Sequence, residues 1–200
     1  FKDLGVELIE LYSEVDGNFP NHHPDPSNPK NLIDLIDKVC EVNADLGIAL
    51  DGDADRLGVV DNSGKIIYPD QYMSLFADHV LKRNPGRKIV FDVKCSSKLK
   101  ESIIKSKGIP VMTRTGHSFI KEEIINQSAI LGGEMSGHIF FNDDWYGFDD
   151  GIYSALRLIE IIAKSKNSSS EIFNKFPQLL NTPEINLSTT DAVSYTHLRA

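Results

Sequence analysis

Short continuous apolar runs alternate along the chain with segments in which apolar residues recur at helical spacing. The runs predict buried strands and the spaced segments predict helices. The predicted strands are 46–50, 57–60, 66–68, 89–93, 111–113, 130–131 and 139–141. The predicted helices are 32–42, a helix that follows Pro69 and Asp70 and stops before 84–86, 97–106, 119–126 and 152–163. This alternation is typical of α/β units.

Residues 18–29 are rich in Pro, Asn, His and Asp and predict a long loop, because proline removes a backbone donor and fixes φ. Long loops in compact proteins are often functional. In open α/β sheets the ligand-binding loops follow the carboxyl ends of strands. Each group of chemically active residues described below comes directly after a predicted strand, so we expect these loops to form one site.

The composition and net charge limit the classes of binding partner that we expect for this protein. A net charge of -8 without a basic stripe argues against nucleic acid. No apolar run approaches the ~18 residues that a membrane span needs, so no membrane partner is expected. Cys40 and Cys95 match no metal or redox spacing, which favours reduced, structural cysteines and a cytoplasmic protein.

The two ends of the sequence differ from the rest. The chain starts at Phe1 and not at Met, and it continues directly into apolar residues, which we interpret as a truncated N-terminus. Residues 194–200 continue no pattern and resemble translated adapter sequence, so we interpret them as a non-native tail.

Asp51, Asp53 and Asp55 alternate with small residues in a turn that ends at Arg56, and we call residues 51–56 the acidic loop. Three carboxylates this close repel one another unless a cation lies between them. Oxygen ligands suit a hard ion, and Mg²⁺ also keeps positions open for water or phosphate. The planar guanidinium of Arg56 is well shaped for a phosphate oxygen. The loop therefore predicts a magnesium site beside a phosphate.

Three other interpretations of the acidic loop were weighed. A calcium EF-hand requires Gly at the sixth position and Glu at the twelfth, where this chain has Arg56 and Asn62. A phosphatase with an aspartate nucleophile usually has Thr or Val in place of Asp55. A solvated turn without function is disfavoured by the apolar strands on both sides.

Three further loops carry polar groups. The Glu134 loop, residues 133–138, offers a carboxylate, the hydroxyl of Ser136 and the imidazole of His138 between glycines, a set suited to binding sugar hydroxyls or to a capped turn. The Arg114 loop, residues 114–118, precedes a helix, and basic groups there favour an anion. The Lys94 loop, residues 93–96, offers an amine for a phosphate or for proton transfer.

These motifs, in this order, resemble those of the α-D-phosphohexomutase superfamily. The aspartates before Arg56, the Thr-Gly-His-Ser sequence at 115–118 and the Gly-Glu-Met-Ser-Gly-His sequence at 133–138 carry the resemblance. Residues 19–26 and 145–154 also resemble its phosphomannomutase/phosphoglucomutase branch. The resemblance covers about residues 1–193 and implies mixed-sheet α/β domains, of which about one and a half are present.

The resemblance implies a role for each of these residues. Asp51, Asp53 and Asp55 would bind Mg²⁺, and Arg56 would lie near a catalytic phosphoserine. Glu134 and Ser136 would bind sugar hydroxyls. Proton transfer would come from Lys94 or His138, both of which line the site. His117 also lines the site, and it would bind the substrate together with Arg114.

The implied reaction interconverts hexose 6-phosphate and hexose 1-phosphate of mannose or glucose. It passes through a phosphoserine and a 1,6-bisphosphate. The serine motif of the family, Thr-Ala-Ser-His-Asn-Pro, does not occur in this sequence. We therefore expect this chain alone to lack mutase activity, and the full-length protein to be monomeric.

The resemblance also divides the chain. Residues 1–65 would be the C-terminal half of domain 2, 66–178 domain 3, and 179–193 the start of domain 4. The alternatives are a phosphoglucosamine mutase, which Met135 disfavours because that branch more often has Gln there, and a non-catalytic module that binds a phosphosugar or Mg²⁺.

Overall fold

The computed structural model describes residues 5–176, which form two β-sheets flanked by helices. The first sheet is antiparallel and has the order β1 (Leu46–Leu50), β2 (Leu57–Asp61), β3 (Ile66–Ile67). Leu50 pairs with Leu57, so the acidic loop is the turn that joins β1 to β2. This loop therefore connects two antiparallel neighbours, and does not lead from a strand into a helix as an α/β unit would.

The second sheet is mixed. Its strands are β4 (Lys88–Asp92), β5 (Ile109–Thr113), β6 (Leu131–Gly133) and β7 (Ile139–Phe141), in the order β5-β4-β6-β7. β4 runs parallel to both β5 and β6, whereas β7 is antiparallel to β6. The carboxyl ends of the three parallel strands therefore lie at one edge, where the Lys94, Arg114 and Glu134 loops begin. This arrangement confirms the predicted mixed-sheet α/β class.

The helices confirm the predicted ones with small changes at their ends. They are α1 (Ile33–Val42), preceded by a 3-10 turn (Pro29–Leu32), α2 (Pro69–Arg83), α3 (Ser97–Lys105), α4 (His117–Gln127) and α5 (Gly151–Ala163). Proline begins both the 3-10 turn and α2, where its missing N–H costs no helical hydrogen bond. Asn43, in the left-handed conformation, ends α1.

A sixth helix, α6 (Ser169–Phe173), was not predicted. It is short, but Ser168 and Glu171 form a capping box, and that Ser-x-x-Glu spacing is a signal that the sequence offered. The hydroxyl of Ser169 donates to the carbonyl of Asp45 at 2.6 Å and accepts from the amide of Asn62 at 2.9 Å. The helix therefore closes the end of the first sheet.

One hydrophobic core joins the two sheets through α2. Tyr72 and Phe76 of α2 are fully buried, and Phe76 meets Phe141 of β7 edge to face with ring centroids 5.0 Å apart. The hydroxyl of Tyr72 donates to the carbonyl of Leu57 in β2 at 2.8 Å. The core continues into β4, α3 and α5 through Phe91, Leu99 and Leu158, all of them buried. The loops of both sheets are thus fixed relative to each other.

The Glu134 loop also contacts β2 directly. The amide of Leu57 donates to the carbonyl of Gly137 at 3.0 Å. Gly137 has a φ of 101°, and a Cβ there would lie 2.9 Å from the carbonyl oxygen of Leu57. Only glycine permits both this conformation and this approach without strain.

The domain boundaries stay predictions. The predicted boundary after residue 65 falls between β2 and β3, and β3 pairs with β2 in the first sheet. The predicted start of domain 4 at 179–193 and the tail at 194–200 lie outside the described residues. Among residues 5–176, no helix is long and apolar enough to cross a membrane.

Candidate functional site

The acidic loop gathers its three carboxylates. One oxygen each of Asp51, Asp53 and Asp55 lies within 4.8 Å of the others, with Asp51 buried and Asp53 exposed. The amide of Ala54 donates to the carbonyl of Asp51 at 3.2 Å and tightens the turn. The structure thus brings together the residues that spacing predicted as metal ligands.

Arg56 closes the acidic loop against Asp51. Its amide donates to Oδ1 of Asp51 at 3.0 Å and its Nε donates to Oδ2 at 2.6 Å. Burial acts to raise the pKa of Asp51, but the hydrogen bonds from Arg56 outweigh burial and lower it. Nη1 of Arg56 donates to Oδ1 of Asp25 at 3.1 Å. The guanidinium is therefore fixed by two carboxylates.

The surroundings of Asp55 favour a cation beside its carboxylate. Its Oδ1 is buried and has no hydrogen-bond partner among the described residues. Nε2 of His138 lies 3.2 Å from this oxygen, within ion-pair distance but outside hydrogen-bond geometry. Burial raises the pKa of Asp55, and although His138 opposes this, the neighbouring carboxylates raise it further. A divalent cation with oxygen ligands would relieve the repulsion, so the donor set fits Mg²⁺.

Glu134 is the centre of the Glu134 loop and is almost fully buried. Its Oε1 accepts from the hydroxyl of Ser136 at 2.7 Å and lies 2.7 Å from Nδ1 of His138, while its Oε2 accepts from the amide of Gly116 at 2.9 Å. Burial acts to raise the pKa of Glu134, but these hydrogen bonds outweigh burial and lower the pKa to about 2. Glu134 is therefore a carboxylate that orients its neighbours.

The acidic loop and the Glu134 loop meet at His138. Arg56 and His138 form an antiparallel β-bridge, which the close approach of Gly137 to Leu57 permits. The imidazole lies between Glu134 on its Nδ1 side and Asp55 on its Nε2 side. Burial acts to lower the pKa of His138, but the two carboxylates outweigh burial and raise it.

A small cavity of about 110 Å³ opens beside these loops. Its lining combines a residue of the Lys94 loop, one of the Arg114 loop, two of the Glu134 loop and one of the 18–29 loop, namely Lys94, Thr115, Met135, Ser136 and Ser27. The 18–29 loop therefore contributes to the site, as its length and composition suggested, through a serine that the sequence did not single out.

His117 stacks on the imidazole of His138, whereas Arg114 packs against Phe119. The ring of His117 stacks on that of His138 with centroids 5.4 Å apart, and its Nδ1 lies 3.4 Å from Oδ2 of Asp149. Oδ1 of Asp149 also forms an ion pair with Nζ of Lys121 at 2.8 Å. Arg114 instead places its guanidinium carbon 3.4 Å from the ring centroid of Phe119, so its substrate role stays a prediction.

Three carboxylates at the site were given no individual role from the sequence. Asp25 holds Arg56, Asp149 lies beside His117, and Asp92 binds groups from three loops. The position of Asp92 directly after the apolar residues 89–91 was a signal that the sequence offered, because a carboxylate there is expected to be buried and buried carboxylates are rarely unpaired. Asp25 and Asp149 gave no such signal, because their partners are distant in sequence.

Two family models match the chain. "Phosphoglucomutase/phosphomannomutase, alpha/beta/alpha domain II" matches residues 1–64, and "Phosphoglucomutase/phosphomannomutase, alpha/beta/alpha domain III" matches residues 68–180. Together they cover most of the sequence.

Curated relatives and a solved structure match most of the chain. A phosphomannomutase/phosphoglucomutase of Pseudomonas syringae pv. tomato is 55% identical over 98% of this chain and 42% of its own length. A phosphoglucomutase of Neisseria gonorrhoeae is 54% identical over 94% of this chain and 41% of its own length. A crystal structure of a phosphoglucomutase/phosphomannomutase family protein from Burkholderia thailandensis covers 91% of this chain and 40% of its own, with 52% identity and a TM-score of 0.88. The chain thus spans less than half the length of these relatives.

Proposed function

Because this chain belongs to the phosphoglucomutase/phosphomannomutase family, we propose that the full gene product interconverts hexose 6-phosphate and hexose 1-phosphate, with mannose or glucose as the sugar. The observation that carries the proposal is the bridge between Arg56 and His138, because it places a carboxylate cluster suited to a metal against a loop suited to sugar hydroxyls. An isomerase that moves phosphate around a sugar needs both functions side by side.

Asp51, Asp53 and Asp55 would hold Mg²⁺. When bound, Mg²⁺ supplies positive charge that offsets the charge developing on a transferred phosphoryl group. Arg56 supports the same role because Asp51 and Asp25 hold its guanidinium in place, so it needs little reorganisation when charge develops. Both oxygens of Asp51 accept hydrogen bonds from Arg56, which favours an orienting and ligating Asp51 over an aspartate nucleophile.

Glu134 and Ser136 would bind sugar hydroxyls. The buried carboxylate is ionised, so it can accept hydrogen bonds from the substrate as well as from the loop. Ser136 and Met135 line the cavity beside Lys94. A sugar bound there would contact the Glu134 loop on one side and the Lys94 loop on the other, so Lys94 would be near its hydroxyl groups.

In the proposed reaction a phosphoserine of the full-length protein gives its phosphoryl group to a sugar hydroxyl. The serine oxygen–phosphorus bond breaks and a sugar oxygen–phosphorus bond forms, so the hydroxyl loses its proton. Lys94 or His138 would take that proton. The 1,6-bisphosphate then returns its other phosphoryl group to the serine. The second sugar oxygen–phosphorus bond breaks, the serine oxygen–phosphorus bond forms again, and the proton held by Lys94 or His138 passes to the freed sugar oxygen, which balances the cycle.

The test is a mutase assay on the full gene product, with glucose 1-phosphate and mannose 1-phosphate as substrates and Mg²⁺ present. Turnover together with an acid-stable phosphoenzyme is expected, because a phosphoserine resists acid. A hydroxylamine-labile acyl phosphate would indicate the aspartate-nucleophile phosphatase instead. Tight binding of glucose 6-phosphate without turnover, in a gene product that carries no phosphoserine, would support the non-catalytic module.

A further inference from the structure

Asp92 ends β4 and is fully buried, with 0% of its surface exposed. Its carboxylate accepts three hydrogen bonds. Oδ2 accepts from the hydroxyl of Thr115 at 2.9 Å, and Oδ1 accepts from the thiol of Cys95 at 3.1 Å and from the amide of Met135 at 3.3 Å. Burial raises the pKa of the Cys95 thiol, as does the neighbouring carboxylate, so the thiol stays protonated and donates.

The three donors come from three different loops. Cys95 follows Lys94, Thr115 belongs to the Arg114 loop, and Met135 stands between Glu134 and Ser136. The cavity is lined by these same three loops together with Ser27. A single carboxylate thus binds the backbone or a side chain of every loop that the second sheet contributes to the wall of the cavity.

We propose that Asp92 is a positioning residue for the hexose phosphate site, which sets the spacing of the Lys94, Arg114 and Glu134 loops without contacting the substrate. The inference rests on the proposed function, because the spacing matters only if one ligand contacts all three loops.

The chemistry of the carboxylate supports this role. An ionised carboxylate is an acceptor on both oxygens, so it can receive all three donors at once. Burial of a charge is costly unless hydrogen bonds satisfy it, and here the satisfying groups are the loops themselves. An amide in its place would turn an N–H₂ group toward one of the donors and would push at least one loop away.

Asp61 offers a matched comparison. It is also buried, with 1% of its surface exposed, and also accepts three hydrogen bonds, from the amide and hydroxyl of Ser63 and from the amide of Lys65. All of these donors belong to the turn that follows Asp61 itself. Because all three donors bind Oδ1, Asp61→Asn can keep these hydrogen bonds, so it serves as a control for the loss of a buried negative charge without a connection to the site loops.

The experiment compares Asp92→Asn with Asp61→Asn in the full gene product, at a temperature where both variants are folded by circular dichroism. We expect Asp92→Asn to lower kcat/KM by on the order of 10²-fold, as displacement of binding groups by about 1 Å does. Binding of glucose 6-phosphate should weaken at least about tenfold, which corresponds to one lost buried hydrogen bond. Asp61→Asn should leave both quantities within about twofold.

Hydrogen exchange at a single amide supplies a local readout beside the activity. The amide of Met135 should exchange faster in Asp92→Asn than in Asp61→Asn. If Asp92→Asn does not fold, Thr115→Val removes one donor at nearly constant shape, and it should also accelerate exchange at Met135, since Thr115 and Met135 are joined through Asp92.

Equal kcat/KM and equal Met135 exchange in the Asp92 and Asp61 variants would overturn the positioning role while leaving the proposed function intact. A wild-type protein that neither binds nor converts hexose phosphate would overturn both.

Discussion

Arg56 and His138 face each other in an antiparallel β-bridge. The bridge joins the acidic loop of the first sheet to the Glu134 loop of the second, so two loops that are distant in sequence form one wall of the site. Leu57 and Gly137, the next residues on each side, continue the contact through a 3.0 Å backbone hydrogen bond. The geometry of the site therefore depends on how closely these two segments of backbone approach.

Gly137→Ala should separate the two loops. The new Cβ would lie 2.9 Å from the backbone oxygen of Leu57, at a φ of 101° that L-residues rarely adopt. We expect the free energy of unfolding to fall by about 2–3 kcal/mol, measured by urea denaturation. The binding of glucose 6-phosphate should weaken as well.

Gly86→Ala is the control for Gly137→Ala. Gly86 has a φ of 80°, but a Cβ there meets no atom within 4 Å. Gly86→Ala should lower the free energy of unfolding only by the conformational strain, about 1 kcal/mol, and should leave ligand binding unchanged. If the two variants lose equal stability, the close approach at Leu57 contributes nothing.

Ala54→Gly should stabilise the protein. Ala54 lies in the acidic loop with a φ of 62°, where glycine avoids the clash of Cβ with the backbone. Because glycine also raises the entropy of the unfolded chain, the net gain should be roughly 0.5–1 kcal/mol. The affinity for Mg²⁺ should not change, since residue 54 offers no ligand. Ala49→Gly in β1 should instead destabilise, and a loss in both variants would contradict this account.

The effect of Asp55→Asn on the stability of the protein should change sign when Mg²⁺ is present. Without metal, the change removes a negative charge that burial and the neighbouring carboxylates disfavour, so the melting temperature should rise. With millimolar Mg²⁺, the wild type should gain stability by ligand binding and the variant should gain much less. Differential scanning fluorimetry with and without EDTA measures both. A variant that is less stable than the wild type in EDTA would contradict the predicted repulsion.

The ionisation of Glu134 should make the free energy of unfolding depend on pH in the acidic range. Its pKa is lowered to about 2 in the folded protein because hydrogen bonds outweigh burial, whereas in the unfolded chain it is about 4.3. A lowered pKa contributes stability above the unfolded value, and this contribution is lost as pH falls from about 5 to about 2. The contribution is on the order of 3 kcal/mol.

Glu134→Gln isolates this contribution from that of other carboxylates. The variant should be less stable than the wild type at pH 7, and the difference should shrink as the pH is lowered toward 2. Urea denaturation at several pH values measures it. A difference that stays constant across the range would mean that the charge of Glu134 is not what stabilises the Glu134 loop.

Features that depend only on residues close together in the chain could be predicted from the sequence. The strands on either side of Asp51 and Arg56 are apolar and the turn is short, so the convergence of the carboxylates could be predicted from spacing. The same short turn also implies antiparallel pairing of those strands, because parallel neighbours need a connection of a dozen or more residues, but the alternation of strands and helices led to the expectation of α/β units there. The roles of Glu134 and Ser136 came from resemblance, since their residue types also suit a capped turn.

Residues that act across long sequence distances escaped prediction. Asp25 and Arg56 are an ion pair formed by a proline-rich loop that folds over the acidic loop, and nothing in either segment specifies the other. Asp92 and Met135 are likewise joined only because β4 and β6 are neighbours in the sheet. Such contacts depend on strand order, which periodicity does not encode.

The closure of the first sheet by α6 has a consequence for the order in which the protein forms during translation. β1, β2 and the acidic loop are contiguous, so this hairpin can pair soon after it leaves the ribosome. Its contact with Gly137 can form only after the Glu134 loop has been synthesised. The hydrogen bond between Ser169 and Asn62 can form only later, after α6 has been synthesised. On a nascent chain, the residues of the acidic loop can therefore come together before the Glu134 loop has been made.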